Sequence, residues 1–162
     1  MERERDTPYR SSLELAEAVQ ENTGESSRFA FVIMSFSGNP VIETYYAEAV
    51  VPACRRVDLE CRRVDVDQFS GRITDRIMSN LKEAAVVIAD LTEDRPNCYI
   101  EVGIALAMGK GLILQRLNAP GYKVDIPFDI KDYKHILYTT ASDLKNQLVK
   151  RLRFYVVGRK RV

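Results

Sequence analysis

Short apolar runs alternate with longer amphipathic stretches along the whole middle of the chain. Phe29 to Met34, within "RFAFVIMSF", is almost continuously apolar, as expected of a strand buried on both faces. "SGNP" follows as a loop-to-helix signal, with Pro40 suited to a first helical turn. "VIETYYAEAVVPACRRV" reads as an amphipathic helix that Pro52 should kink near its end. "LECRRVDV" reads as a second strand. "SGRITDRIMSNLKEA" reads as a helix with Ile73, Ile77, Met78 and Leu81 on one face. "AVVIADL" is the most apolar strand, and "NCYIEVGIALAMGK" a helix with Asn97 as its expected N-cap. "GLILQRL" is a fourth strand, followed by a turn-rich loop, "NAPGYKVDIPFDIKDY". "KHILYTT" is a short fifth strand. The last helix is "SDLKNQLVKRLRFYVV", capped by Ser142, with Leu144, Leu148 and Leu152 aligned.

Five strands alternating with helices imply parallel βαβ units and a doubly wound α/β domain with helices on both faces of the sheet. The expected architecture is a flavodoxin- or Rossmann-like five-stranded parallel sheet in the order 2-1-3-4-5. The expected boundaries are a polar arm over 1–27 that could hold a short helix, the α/β domain over 28–157, and a basic tail over 158–162. In such folds ligands bind beyond the carboxyl ends of the strands, where strand order reverses. That rule selects Ser35, Phe36 and Gly38 after strand one, and Arg63, Asp65 and Asp67 around the exit of strand two. It also selects Asp90 and the loop to Asn97 after strand three, and Glu101 early in the next helix.

Composition narrows the chemistry. With 162 residues, 46% apolar and 29% charged, the chain suits one globular domain with a sizeable core. A net charge of +1 provides no global field for nucleic acid or membrane, and no apolar run is long enough to span a bilayer. The N-terminus lacks a signal-peptide pattern. Cys54, Cys61 and Cys98 are an odd set with no C-x-x-C pair, which argues against a disulfide framework or zinc site and for the cytoplasm. His135 is the only histidine and reads as structural, so chemistry falls to carboxylates.

Glu101 has two readings: a helix-dipole carboxylate, or an acid aimed at the strand ends. Gly103, Ala105, Ala107 and Gly109 around it are small and suit close packing of helix on sheet. Asp90 is either a turn former or a catalytic acid at a strand end. Asp65 pairs with Arg63 or faces a ligand; Glu93, Asp94 and Arg95 read as solvated loop charges. Tyr45 and Tyr46 read as core or pocket walls. Tyr99 reads the same way, or stacks on a base. The cations after Asp143 read as a solvated face, or as a surface for RNA or an acidic partner. Two carboxylates at strand ends without a nearby histidine fit sugar chemistry, because a carboxylate can attack or stabilise an oxocarbenium-like centre. Paired acids also bind Mg²⁺, so this chemistry is permissive.

The succession "FAFVIMSFSG", "RRVD", "SGRITDRIMSNLKEAAVVIADLTEDRPNCYIEVGIALAMGK" and "IPFDI" resembles the nucleoside 2-deoxyribosyltransferase-like superfamily, and most of all its bacterial TIR-like branch. The similarity covers about 29–138, and the "IADLT…N…Y.E.G.A.A.GK" block is its most specific part. "IMSF" stands where the family has "IMPF", and "IEVG" where it has "YELG", with Glu101 and Gly103 kept. The resemblance implies that Glu101 attacks or stabilises the sugar C1′, and that Asp90 is the strand-end acid. It implies that Ser35, Phe36 and Gly38 line the base or phosphate pocket.

The leading expectation is a metal-free, cofactor-free hydrolase or transferase of an N-glycosidic bond. Its substrate would be a nucleotide, NAD or a nucleoside monophosphate, or a deoxynucleoside. Asp65 would orient the ribose, Arg63 and Arg72 would hold phosphate, and Asn97 and Tyr99 would complete the binding wall. The resemblance further implies a homo-oligomer, a separate sensor protein, and antiviral defence or signalling. The alternative is a non-catalytic nucleotide-sensing or oligomerising TIR-like module. A receiver-like phosphoacceptor at Asp90 is disfavoured, because no acid pair follows strand one and no lysine follows strand five.

Overall fold

The five apolar runs form strands β1 (Phe29–Ile33), β2 (Glu60–Arg62), β3 (Val86–Asp90), β4 (Leu112–Leu117) and β5 (His135–Tyr138). They join one parallel sheet in the order β2-β1-β3-β4-β5. This computed structural model describes residues 28–64 and 73–157. The expected arm over 1–27, the basic tail over 158–162, and Asp65, Asp67 and Arg72 lie outside the described residues. The sequence order 2-1-3-4-5 is the one observed. β1 and β3 are buried at every position, which is why β1 and β3 up to Ala89 read as unbroken apolar runs rather than alternating ones.

Helix α1 runs over 40–56, α2 is Ile73–Glu83, α3 is Pro96–Ala107 and α4 is Ala141–Val157. The chain returns between parallel strands through these helices, except for the loop before β5, which carries only the 3₁₀ turn Phe128–Ile130. Side chains alternate across the sheet. Ala30, Val32, Val86, Ile88, Ile113, Leu117, Ile136 and Tyr138 pack under α1 and α4, together with Leu144, Leu148 and Leu152. Phe29, Phe31, Ile33, Val87, Ala89 and Leu114 pack on the other face with Leu81 of α2 and Cys98, Val102 and Ala105 of α3.

Two local expectations, the caps of α3 and α4, are corrected, and the irregularity at Pro52 takes a specific form. Pro52 lacks the N–H that would bond four residues back. The helix accommodates it through a π-helical segment, Tyr46–Val50, with Val51 N–H donating to the Tyr46 carbonyl. The N-cap of α3 is Arg95, not Asn97, because Pro96 occupies the first helical position, where its fixed φ fits. At α4, Thr140 rather than Ser142 caps the helix: its Oγ1 accepts from Asp143 N–H at 3.1 Å and its carbonyl from Leu144 N–H at 3.0 Å.

Gly111 lies between α3 and β4, where a Cβ would run into the ring of Tyr155. That ring is held by its hydroxyl, which donates to the Leu112 carbonyl at 3.3 Å. Gly111→Ala must displace it, and a loss of about 1–3 kcal/mol is expected in urea unfolding.

Candidate functional site

The sheet order places the reversal between β1 and β3, with β1 connecting onward to β2 on one side and β3 lying on the other. The loops after β1 and β3 therefore flank the crevice where such folds admit ligands. After β1, Ser35 is half-buried and Phe36 is 46% exposed. Gly38 turns the chain at a φ of +72°, a conformation that costs glycine little. Asn39 then caps α1 by accepting from Val41 N–H at 3.0 Å. After β3, Glu93 reaches across the crevice. The Ser37 hydroxyl lies 2.8 and 2.7 Å from its two carboxylate oxygens. Burial raises the Glu93 carboxyl, but Ser37, Ser35 and Asn39 outweigh it and hold the group below its ordinary value. Glu93 is thus a tie between the two loops rather than the solvated charge its sequence context indicates.

α3 carries Glu101 into this region. Successive residues on a helix advance by about 100°. Cys98, Val102 and Ala105 form the stripe that faces the sheet. Glu101 lies on one flank of that stripe and Tyr99 on the other. The Tyr99 hydroxyl donates to Asp94 Oδ1 at 2.5 Å and accepts from the Arg116 guanidinium. Because Arg116 belongs to β4, Tyr99's flank faces β4, and Glu101's flank faces β1 and α2. Asn97, four residues before Glu101, shares that flank and is exposed. Tyr99 is separated from Glu101 by the width of the buried stripe, so the two do not line one wall.

Glu101 is half-buried, and no hydrogen bond from a described residue reaches it. Desolvation alone pushes its carboxyl up to about 7. The Cys98 thiol, one turn earlier, is pushed up to about 12, first by burial and then by the carboxylates of Glu101, Asp90 and Glu93. Three acids therefore act on one point at the start of α3.

A raised Glu101 has a consequence for stability. The folded chain retains a proton that the unfolded chain releases from its ordinary 4.5 upward. The stability associated with the neutral carboxyl is full below 4.5 and is lost as pH rises through about 7. Glu101→Gln, neutral throughout, should stabilise the protein at pH ~8 by about 1–2 kcal/mol, discounted for solvent contact, and leave it nearly unchanged at pH ~4.5. Melting followed by circular dichroism at the two pH values checks this.

Asp90 occupies a different place from the one expected. Its position on β3 has the parity of Val86 and Ile88, so its side chain lies on the α1 and α4 face, opposite α3. It is buried and fully engaged: Thr92 N–H donates to Oδ1 at 3.0 Å, and Gln115 Nε2 and the Tyr138 hydroxyl each donate to Oδ2 at 2.8 Å. Asp90 and Glu101 thus approach the strand ends from opposite faces of the sheet. Thr92 Oγ1 accepts from Leu117 N–H at 2.9 Å and secures the same corner.

Arg63 is held away from the crevice of Glu101. It pairs with Glu43 at 2.7 Å, and its guanidinium lies 4.5 Å above the Tyr46 ring. Clefts open elsewhere among the described residues. One, of about 370 Å³, is lined by Tyr46, Cys61, Arg62, Arg63 and Arg76 among others. Another, of about 410 Å³, lies between α1 and the end of β5. Glu101 lines neither. Among the described residues no group of three or more His, Cys, Asp or Glu is placed to hold a metal ion, and no helix is long and apolar enough to cross a membrane.

Gln115 and Arg116 were not singled out from sequence. The signal was present: a "QR" pair in an otherwise apolar strand, with Gln115 in register with Asp90. Buried polar residues on a central strand require partners, and Asp90, Asp94 and Tyr99 are those partners.

No family model and no curated protein matches the sequence. Among solved structures, the chain is similar to the TIR domain of the Toll-related receptor TRR-2 from the lower metazoan Hydra magnipapillata. The TM-score is 0.57 at 10% identity, over 79% of this chain and 97% of that one. At that identity the likeness speaks to architecture, and the protein has a TIR-like α/β fold.

Proposed function

We propose that the protein cleaves or transfers an N-glycosidic bond of a nucleotide, NAD or a nucleoside monophosphate, with Glu101 as the acting carboxylate. The observation that carries this reading is Glu101 itself: half-buried, without a hydrogen-bond partner among the described residues, and on the α3 flank that faces the β1–β3 crevice. A carboxylate so placed can attack the anomeric carbon or stabilise its positive charge as the base departs. Water, or a second base in a transfer, then completes the bond at that carbon. Ser35, Phe36, Gly38 and Asn97 stand around the same crevice as binding groups. Asp90, with both oxygens already holding donors, serves as a positioning residue for the strand ends. Asp65 and Arg72 remain the proposed ribose and phosphate contacts, whereas Arg63 is already engaged by Glu43 and Tyr46. The sequence resemblance supports membership of the nucleoside 2-deoxyribosyltransferase-like superfamily and a role as a defence or signalling effector coupled to a separate sensor, and the unpaired cysteine set supports a cytoplasmic setting.

The experiment is a panel of NAD, nucleoside monophosphates and deoxynucleosides, assayed by chromatography for free base and sugar product. Base release from at least one of them is expected. A second reading, an assembling module without turnover, draws on the outward face of α3. There Ile100 is 62% exposed and Gly103 and Ala107 are exposed, with no charge among them. No base release, with nucleotide-dependent growth in light scattering, would favour that reading instead.

A further inference from the structure

Cys54 and Cys61 lie far from Glu101's crevice and take no part in the proposed reaction. Cys54 sits in the last turn of α1 and is completely buried. The chain turns back immediately, with Leu59 N–H bonded to the Cys54 carbonyl at 3.0 Å, and enters edge strand β2, which carries Cys61. This reversal packs Cys61 against the core cluster that holds Cys54, where the two thiols perturb each other's ionisation. Cys61 is half-buried and lines the 370 Å³ cleft, whereas Cys54 is completely buried. Tyr46 Oη lies 3.7 Å from Cys61 Sγ, and the Arg63 guanidinium stacks on the same tyrosine ring at 4.5 Å.

We propose that Cys54 and Cys61 form a peroxide-sensitive pair that closes reversibly into an intramolecular disulfide at the edge of the sheet. The Cys61 thiolate attacks one peroxide oxygen, the O–O bond breaks, and the departing oxygen takes up a proton to leave as water. Cys61 becomes a sulfenic acid. The Cys54 sulfur, giving up its proton, attacks the Cys61 sulfur; the S–S bond forms and a second water leaves. Two thiols lose two hydrogens and two electrons, and hydrogen peroxide takes them up as two waters. The local electrostatics suit each role. The Cys54 thiol, the Tyr46 hydroxyl and the cations Arg63 and Arg55 hold Cys61 below its ordinary value against the cost of burial. Cys54 is pushed up chiefly by its bond to Cys61, and that cause disappears once Cys61 is oxidised and neutral. Cys98 serves as an internal control, because burial and three carboxylates keep its thiol protonated.

The test treats the full chain with hydrogen peroxide, removes the peroxide with catalase, denatures in an alkylating reagent and maps peptides by mass. Cys98 should be alkylated, while Cys54 and Cys61 should appear as one cross-linked pair that dithiothreitol releases. Cys54→Ser should stop at the sulfenic acid of Cys61, captured by a 1,3-diketone; Cys54→Ala substitutes if the serine is not tolerated in the core. Cys61→Ser should leave Cys54 and Cys98 fully alkylated. Three free thiols after peroxide, a cross-link to Cys98 or between chains, or oxidation of Cys54 that persists in Cys61→Ser would each overturn the proposal.

Discussion

Asp94→Ala is expected to destabilise the protein by about 2–4 kcal/mol, and adding Arg116→Met is expected to recover at least half of that loss. Arg116 on β4 has no exposed surface, and its guanidinium donates to Asp94 Oδ1 at 3.0 Å and to the Tyr99 hydroxyl. Removing one partner of a buried ion pair leaves an uncompensated charge, which typically costs about 3–5 kcal/mol. Asp94 is itself 46% exposed at its side chain, so solvent reduces the figure here. Asp94 also holds a positive φ of 51°, so the same substitution loosens the turn into α3. Replacing Arg116 by an apolar side chain of similar length removes the stranded charge, which is why the double variant should recover. Urea unfolding of wild type, both single variants and the double variant closes the cycle. Equal stability of Asp94→Ala and wild type would show that the pair does not anchor the start of α3.

Glu101→Gln should reduce base release by about 10³-fold or more at pH ~8 while leaving the fold intact. The carboxylate is the form that can attack or stabilise an electron-deficient anomeric carbon. Because burial pushes Glu101 up to about 7, only about half the molecules hold that form at neutral pH. The wild-type kcat/KM should therefore rise as pH increases through about 7 and level off above it. The rising limb should be absent from whatever residual activity Glu101→Gln retains. A profile already flat from about pH 5 upward would mean that the Glu101 carboxyl is not the group whose ionisation governs the rate. A rising limb that Glu101→Gln lacks, combined with the greater stability of the glutamine variant at high pH, would mark Glu101 as a group kept at the expense of stability.

Much of this framework is written in the hydrophobic pattern. Unbroken apolar runs at 29–33 and 86–89, each too short for a helix and flanked by amphipathic stretches, read as strands covered on both sides. The leucines at 144, 148 and 152 repeat every four residues and are fully buried, as that spacing requires. Side-chain direction was less legible. Gly103, Ala105 and Ala107 recur every second residue, and two residues on a helix are about 200° apart, so they cannot share one face. Ala105 is buried, whereas Gly103 and Ala107 are exposed with open space beside Gly103. Glu101 could be placed in the first turns of α3 from its spacing after Asn97, although the helix begins one residue earlier, at Pro96. Its flank emerged only from the bond between Tyr99 and Arg116, a contact between residues 17 apart in sequence. Asp90 was legible as a strand-end acid, but the face it occupies follows from strand parity and from Gln115 and Tyr138, which approach it from 25 and 48 residues away.

The most direct measurement is the rate of free-base release, followed side by side in wild type and Glu101→Gln, on whichever nucleotide of the panel the wild type turns over fastest. Release by wild type and near-complete loss in the folded glutamine variant is the expected result. Equal rates in the two proteins would contradict the assignment of the glycosidic chemistry to Glu101.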